Sequence, residues 1–98
     1  MDEVIRAKKF IMRELIKRRN IGGSHTPLDR VVHYLPEEFL KDKRTKKIIN
    51  SAIKELVNEG MIIIMQKKTG KGSDLHISAN PRKLKEISEL LELPQPRD

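Results

Sequence analysis

Apolar residues recur at helical spacing between residues 43 and 60, KRTKKIINSAIKELVNEG, and this pattern predicts an amphipathic helix. One arc of the helix is apolar and consists of Ile49, Ala52, Ile53, Leu56 and Val57. The opposite arc is cationic and hydrogen-bonding and consists of Arg44, Lys47, Ser51, Lys54 and Asn58. Gly60 follows as a left-handed stop, and either Asp42 or Thr45 can cap the start. We therefore expect one face to pack on a core and the other to be exposed.

Residues 3–19 predict a first helix with a wide apolar arc that is interrupted only by Lys8. The arc consists of Val4, Ile5, Ala7, Ile11, Met12, Leu15 and Ile16. Asn20 and the pair Gly22-Gly23 are predicted to end this helix. A second helix is predicted to open at Thr26-Pro27, with Thr26 as its cap, and to end at Leu35-Pro36. Its buried side would consist of Leu28, Val31, Val32 and Leu35.

Residues 37–42, EEFLKD, predict a turn that directs Phe39 and Leu40 inward. After the basic helix, the run MIIIM at 61–65 predicts a strand, because isoleucine is β-branched and the run is too short for a helix. Residues 74–78 are predicted to pair with it through a flexible loop that contains Gly70 and Gly72. Asn80-Pro81 opens a predicted last helix over 81–92. Its apolar stripe consists of Leu84, Ile87 and Leu91.

Length and charge narrow the class of protein. The 98 residues suit a single domain, predicted over 1–93, followed by a short tail at 94–98. Aromatic residues make up only 3%, so the core should be aliphatic. A formal net charge of +7 favours a polyanionic partner, nucleic acid before membrane. With no cysteine and no long apolar stretch, we expect no disulfide, no membrane span and a cytoplasmic location.

The order of helix, short helix, turn, basic helix, hairpin with a Lys-Gly tip and final helix resembles the winged helix-turn-helix family, over roughly residues 3–92. The segment KKIINSAIKELVNEGMIII also looks like small winged-helix proteins of archaea, whose recognition helix often ends in a Glu-Gly pair, here Glu59-Gly60. One departure from the family pattern is the long connection at 36–42.

The resemblance implies an α+β, mostly helical fold with an N-terminal helix, a two-stranded wing hairpin and a C-terminal helix. It implies double-stranded DNA as the partner, with the basic helix in the major groove and the wing on backbone or minor groove. The implied contacts on the helix are Arg44, Lys47, Asn50, Ser51 and Lys54. The implied contacts on the wing are Lys67, Lys68, Thr69 and Lys71.

The alternative to DNA contact is that the basic face of the helix is only a solvent-exposed lysine surface. Residues 43–54 carry five basic side chains and no acid, whereas solvent-facing helices commonly alternate signs, so DNA contact is favoured. Lys47, Lys54 and the wing lysines would meet phosphates. Arg44, Asn50 and Ser51 would suit base edges. The wing lysines have a second explanation, since lysine also protects an edge strand from unwanted pairing.

No catalytic or metal signature accompanies these features. His25, His33 and His76 match no short metal motif, and surface or partly packed histidines are the expectation. Ser24, His25 and Asp29 contain the letters of a triad, but neighbours in sequence rarely have its geometry. We therefore expect no enzyme and no cofactor.

Apolar residues beyond the core stripes suggest a homodimer through the first and last helices, because two-fold dimers match palindromic half-sites. The residues assigned to this interface are Ile5, Phe10, Met12, Leu90 and Leu93. The favoured function is a transcriptional regulator, with Lys17, Arg18 and Arg19 as further backbone contacts. A general chromosome-coating protein and an interaction module of a larger transcription or replication complex are the alternatives.

Overall fold

The computed structural model describes residues 2–69 and 72–92, with residues 69, 72 and 73 described by their backbone only. The fold is α+β and mostly helical, as predicted. Its elements in chain order are α1 (Glu3–Lys17), β1 (Thr26–Pro27), α2 (Leu28–His33), α3 (Lys43–Asn58), β2 (Ile62–Thr69), β3 (Gly72–Ala79) and α4 (Leu84–Leu91). Short 3-10 turns precede α3 and α4, at Glu37–Phe39 and Pro81–Lys83.

The end of α1 is built differently from the prediction. The helix stops at Lys17, and Arg19 takes a left-handed conformation with φ of 59°. The backbone N–H of Asn20 donates to the carbonyl of Leu15 at 2.8 Å, and that of Arg19 donates to Ile16 at 3.0 Å. These two hydrogen bonds form a Schellman motif, which satisfies the last carbonyls of a helix. An arginine therefore ends α1, before the chain reaches Gly22-Gly23.

The predicted helix start at Thr26-Pro27 is wrong. These residues form β1, in which Thr26 pairs with Ile77 and Pro27 with His76. Thr26 is buried in this short ladder, and α2 begins at Leu28 without a side-chain cap. Pairing with β3 thus prevails over the local capping signal.

The sheet has three antiparallel strands in the order β1-β3-β2. The β2–β3 ladder runs from Ile62 opposite Ala79 to Thr69 opposite Gly72. The predicted strands at 61–65 and 74–78 are therefore too short, because residues 66–69 and 72–73 continue the ladder instead of forming a loop. The hairpin consequently is paired β-structure as far as residues 69 and 72, and residues 70 and 71 lie outside the described residues.

Both ends of α3 are capped by specific hydrogen bonds. Asp42 Oδ1 accepts from the backbone N–H of Thr45 at 3.1 Å, and Thr45 Oγ1 accepts from the N–H of Asp42 at 3.2 Å, so the two residues cap the start reciprocally. Gly60 has φ of 76°, and the N–H of Met61 donates to the carbonyl of Leu56 at 2.9 Å. The predicted glycine stop is confirmed. Of the two candidate caps, Asp42 is the N-cap, and Thr45 completes the capping box as the third residue of the helix.

The core is aliphatic, as expected, and lies between the four helices and the base of the sheet. Its fully enclosed large side chains are Ile11, Met12, Leu15, Val31, Leu56, Ile77 and Ile87. Phe39 is also buried, but Leu40, Val57 and Leu84 are exposed, contrary to the prediction. In α4, Leu90 packs against the core instead of Leu84, so the buried face of this helix is rotated away from Leu84. Leu40 directly follows the 3-10 turn at Glu37–Phe39, and Val57 lies in the last turn of α3.

Most of the residues predicted to form a homodimer interface pack against other residues of the same chain. Met12 is completely buried, so it cannot contact a second copy. Phe10 packs edge to face on Phe39, with ring centroids 5.6 Å apart, and Leu90 is half-buried against the core. Ile5 is exposed, and Leu93 lies outside the described residues. A dimer through α1 and α4 stays a prediction with fewer residues to support it.

Candidate nucleic-acid interface

The exposed face of α3 carries every helix residue that the sequence assigned to DNA. The structure places Arg44, Lys47, Asn50, Ser51 and Lys54 on the surface. Ile49, Ala52 and Leu56 on the other side are buried and fix the rotation of the helix about its axis. The core thereby determines which α3 side chains face outward.

Acidic residues are turned away from this face. Glu55 is the single acid within α3, and Glu59 follows at its C-terminal cap. Both carboxylates form ion pairs with Lys8 of α1. Lys47 and Lys54 form no ion pair with any residue that the structure describes. The positive charges of Lys47 and Lys54 are therefore left without local compensation.

Arg44 has one weak partner. Its guanidinium lies 3.6 Å from the carboxylate of Glu3, and 80% of the arginine side chain is exposed. An ion pair between exposed groups contributes little, typically less than about 1 kcal/mol. Arg44 would therefore lose little free energy if it left Glu3 and paired with another anion.

Lys8, the residue that interrupts the apolar arc of α1, joins α1 to α3. The residue is only 6% exposed, and its Nζ lies 3.3 Å from Glu55 and in direct contact with Glu59. Burial lowers the pKa of Lys8, but the hydrogen bonds and charges of Glu59 and Glu55 together outweigh it, so the pKa is raised. The lysine that interrupted the apolar arc of α1 is thus charged and paired.

Glu55→Gln combined with Glu59→Gln should lower the free energy of unfolding by about 1 to 3 kcal/mol, because it leaves a buried ammonium without a counter-charge. In a Lys8→Met background, the same two changes should have almost no effect. Urea unfolding at neutral pH measures both. Since the pKa of Lys8 is raised, its contribution is complete below the ordinary lysine pKa and is lost only as the pH rises through the higher folded value.

Glu86→Gln with Glu89→Gln is the matched control, since both residues are exposed on α4 and the variant has the same net charge. An equal loss of stability with and without Lys8 would show that the two α3 carboxylates act independently of the lysine.

Lys67 and Lys68, two of the three predicted wing lysines, do not point to the same side of the hairpin. Lys67 and Lys68 are exposed neighbours on β2, and successive side chains of a strand point to opposite faces. Lys67 lies opposite Asp74 in the ladder, which reduces the positive charge on its face. The sequence grouped them because it treated this segment as a loop. Lys71 and the side chain of Thr69 lie outside the described residues.

The basic end of α1 is partly engaged within the chain. Arg18 Nε donates to the Glu14 carboxylate at 2.9 Å, and the guanidinium lies 4.0 Å from the ring centroid of Tyr34. The hydrogen bond to Glu14 raises the pKa of Arg18 further. Lys17 and Arg19 are exposed and form no ion pair with another described residue.

Two features of the surface have no signal in the sequence. The first is a cleft of about 260 Å³ between α2, the turn before α3, and α3 itself. Its apolar lining consists of Leu28, Val32, Phe39, Leu40, Ile49 and Ile53, and Asp29, Lys46 and Asn50 supply the polar groups. The second is a contact between His25 and His76, which are 51 residues apart. Both depend on tertiary packing.

No group of three or more acidic or histidine residues in the described chain is arranged to hold a metal ion. Among the same residues, no helix is long and apolar enough to cross a membrane. Comparison of the chain with protein-family models, with curated proteins and with solved structures gives no match.

Proposed function

We propose that this chain is a winged helix-turn-helix protein that binds double-stranded DNA. The observation that carries the proposal is the exposed basic face of α3, whose neighbouring acids are paired with Lys8 instead. A one-signed surface on a single rigid element is the electrostatic footprint expected of a nucleic-acid binder.

The arrangement of elements supports the winged-helix part of the proposal. A short helix and a turn precede α3, and a paired hairpin follows it after Gly60. The 16 residues of α3 have a length of about 24 Å at 1.5 Å per residue, and a helix of this kind fits the major groove. The hairpin β2–β3 would then serve as the wing.

Each exposed residue has a role that fits its chemistry. Lys47 and Lys54 would neutralise phosphates, which gives affinity without sequence information. Arg44, Asn50 and Ser51 would approach base edges, because guanidinium, amide and hydroxyl groups form hydrogen bonds there. On the wing, Lys67, Lys68 and Lys71 would contact the backbone or the minor groove.

Regulation of transcription is the favoured activity, and general coating of a chromosome is its variant. Both use the same surface and differ in whether the α3 side chains select a sequence. Comparing affinity for random duplexes with affinity for duplexes enriched by selection separates them. A discrimination of about a thousandfold or more would indicate a regulator, and equal affinities would indicate a coating protein.

The cleft beside α3 favours a second candidate, an interaction module of a larger complex. Its six apolar side chains offer a concave surface of the kind that receives a protein side chain, and the basic residues would then be incidental. This candidate predicts that the chain binds no duplex at any salt concentration.

The proposal predicts that the native chain binds duplex DNA with an affinity that falls linearly with salt on logarithmic axes. Fluorescence anisotropy with a labelled duplex, between roughly 50 and 200 mM salt, measures the slope, which reports the number of phosphates neutralised. An affinity that does not change with salt, or no binding at all, would overturn the DNA-binding proposal.

A further inference from the structure

Two imidazole rings meet at the inner end of the wing. His25 immediately precedes β1, and His76 lies in β3. Their Nδ1 atoms are 2.8 Å apart, with the ring planes at 76° to each other. Both residues are half-buried, so the contact is partly shielded from water.

The backbone holds the two rings together. Thr26 pairs with Ile77 and Pro27 pairs with His76, so the segment that carries His25 is tied to the strand that carries His76. Of two Nδ1 atoms at hydrogen-bond distance, one donates a proton and the other accepts it with a lone pair. When the donor ring takes the tautomer that is protonated at Nε2, both Nδ1 atoms present lone pairs. A neutral imidazole nitrogen with a lone pair is also the commonest protein ligand for a metal ion.

We propose that His25 and His76 form a binding site for a divalent transition-metal ion, with Cu²⁺ as the preferred ion. Two nitrogens 2.8 Å apart, each about 2.0 Å from a metal, subtend an angle of about 90° at it. A tetrahedral site would need a separation of about 3.3 Å at the same bond length. Right angles are typical of tetragonal Cu²⁺ and Ni²⁺ sites, and Cu²⁺ binds nitrogen ligands most strongly among the divalent ions.

The surrounding face offers one weaker donor. Met65 lies directly opposite His76 in the ladder and is half-buried on the same face, so its thioether is available as a distant ligand. Asp74 also lies on this face, opposite Lys67, but it forms no three-ligand group with the two histidines. Two histidine ligands leave the remaining positions to water, so the ion should exchange and should not be required for folding.

His33 provides an internal control. It ends α2, is exposed and packs edge to face on Tyr34, with ring centroids 5.5 Å apart. It therefore reports what a solitary histidine of this chain contributes to copper binding.

The test compares the native chain with His25→Asn, His76→Asn and His33→Asn in a buffer that does not bind metals. Titration with CuCl₂, followed by calorimetry and by electron paramagnetic resonance, gives stoichiometry, affinity and nitrogen coordination. We expect one ion per chain in the native protein and in His33→Asn, and an affinity at least about tenfold lower in the other two variants. Equal affinities in all four proteins, or no binding by the native chain, would overturn the proposal.

A second measurement needs no variant, so it stands even if a substitution unfolds the protein. In nuclear magnetic resonance spectra of the native chain, a small fraction of an equivalent of paramagnetic Cu²⁺ should broaden the ring signals of His25 and His76 before that of His33. Broadening of His33 first, or of all three equally, would contradict the site. Neither experiment contains DNA, so both are independent of the proposed function.

Discussion

Lys47→Ala combined with Lys54→Ala should reduce the salt dependence of DNA binding by about two units of the logarithmic slope and weaken binding to all duplexes alike. Each lysine is exposed on α3 and unpaired within the described residues, so each is free to neutralise one phosphate. Anisotropy titrations of the double variant and the native chain over the same salt series measure both slopes.

Arg82→Ala with Lys85→Ala is the matched control, because it removes the same net charge from the exposed surface beside and within α4. Its slope should equal that of the native chain. If both double variants lower the slope equally, net charge rather than the α3 face governs binding, and α3 is not the interface.

Leu56→Ala should lower the free energy of unfolding by about 2 to 5 kcal/mol, the range expected when a leucine is removed from a packed core. Leu56 is completely buried, and it lies on the side of α3 opposite the exposed basic face. Loss of its side chain leaves a cavity that the neighbouring elements can fill only in part. Chemical unfolding followed by circular dichroism measures the difference.

Leu84→Ala makes the same chemical change at the start of α4, where the leucine is 43% exposed. Its effect should stay within about 0.5 kcal/mol, because surface substitutions away from special features rarely exceed that value. The sequence pattern placed both leucines on buried stripes, so similar losses at the two positions would favour the pattern over the structure.

Local signals predicted α3 with high accuracy. Its apolar period, the acid before its first turn and the glycine after its last turn all lie within the segment itself, and the structure uses all of them. Four of the five DNA-contact candidates on α3 were predicted to be exposed for the same reason, since burial of one face determines the other, and the fifth, Asn50, was implied by the family resemblance. Whether they contact DNA stays a prediction.

Local sequence patterns gave wrong predictions where the segment pairs with a distant part of the chain. Thr26-Pro27 has good helix-start chemistry, but its hydrogen bonds go to β3, about fifty residues away along the chain. Lys67, Lys68 and Gly72 are residue types that are depleted in strands, and the ladder that starts at Ile62 continues through them nevertheless. The contact of His25 with His76 depends on the pairing of β1 with β3, so the interpretation of Thr26-Pro27 as a helix start does not find it.

The fastening of α3 has a consequence for the entropy of any binding event. The helix is closed at its start by reciprocal side-chain bonds, closed at its end by a glycine motif, and attached along its side to α1 through Lys8. A partner that docks on it meets a backbone that is already ordered, so little conformational freedom remains to be lost there. The disorder given up on docking then belongs mainly to the long lysine side chains, and released counterions offset part of it.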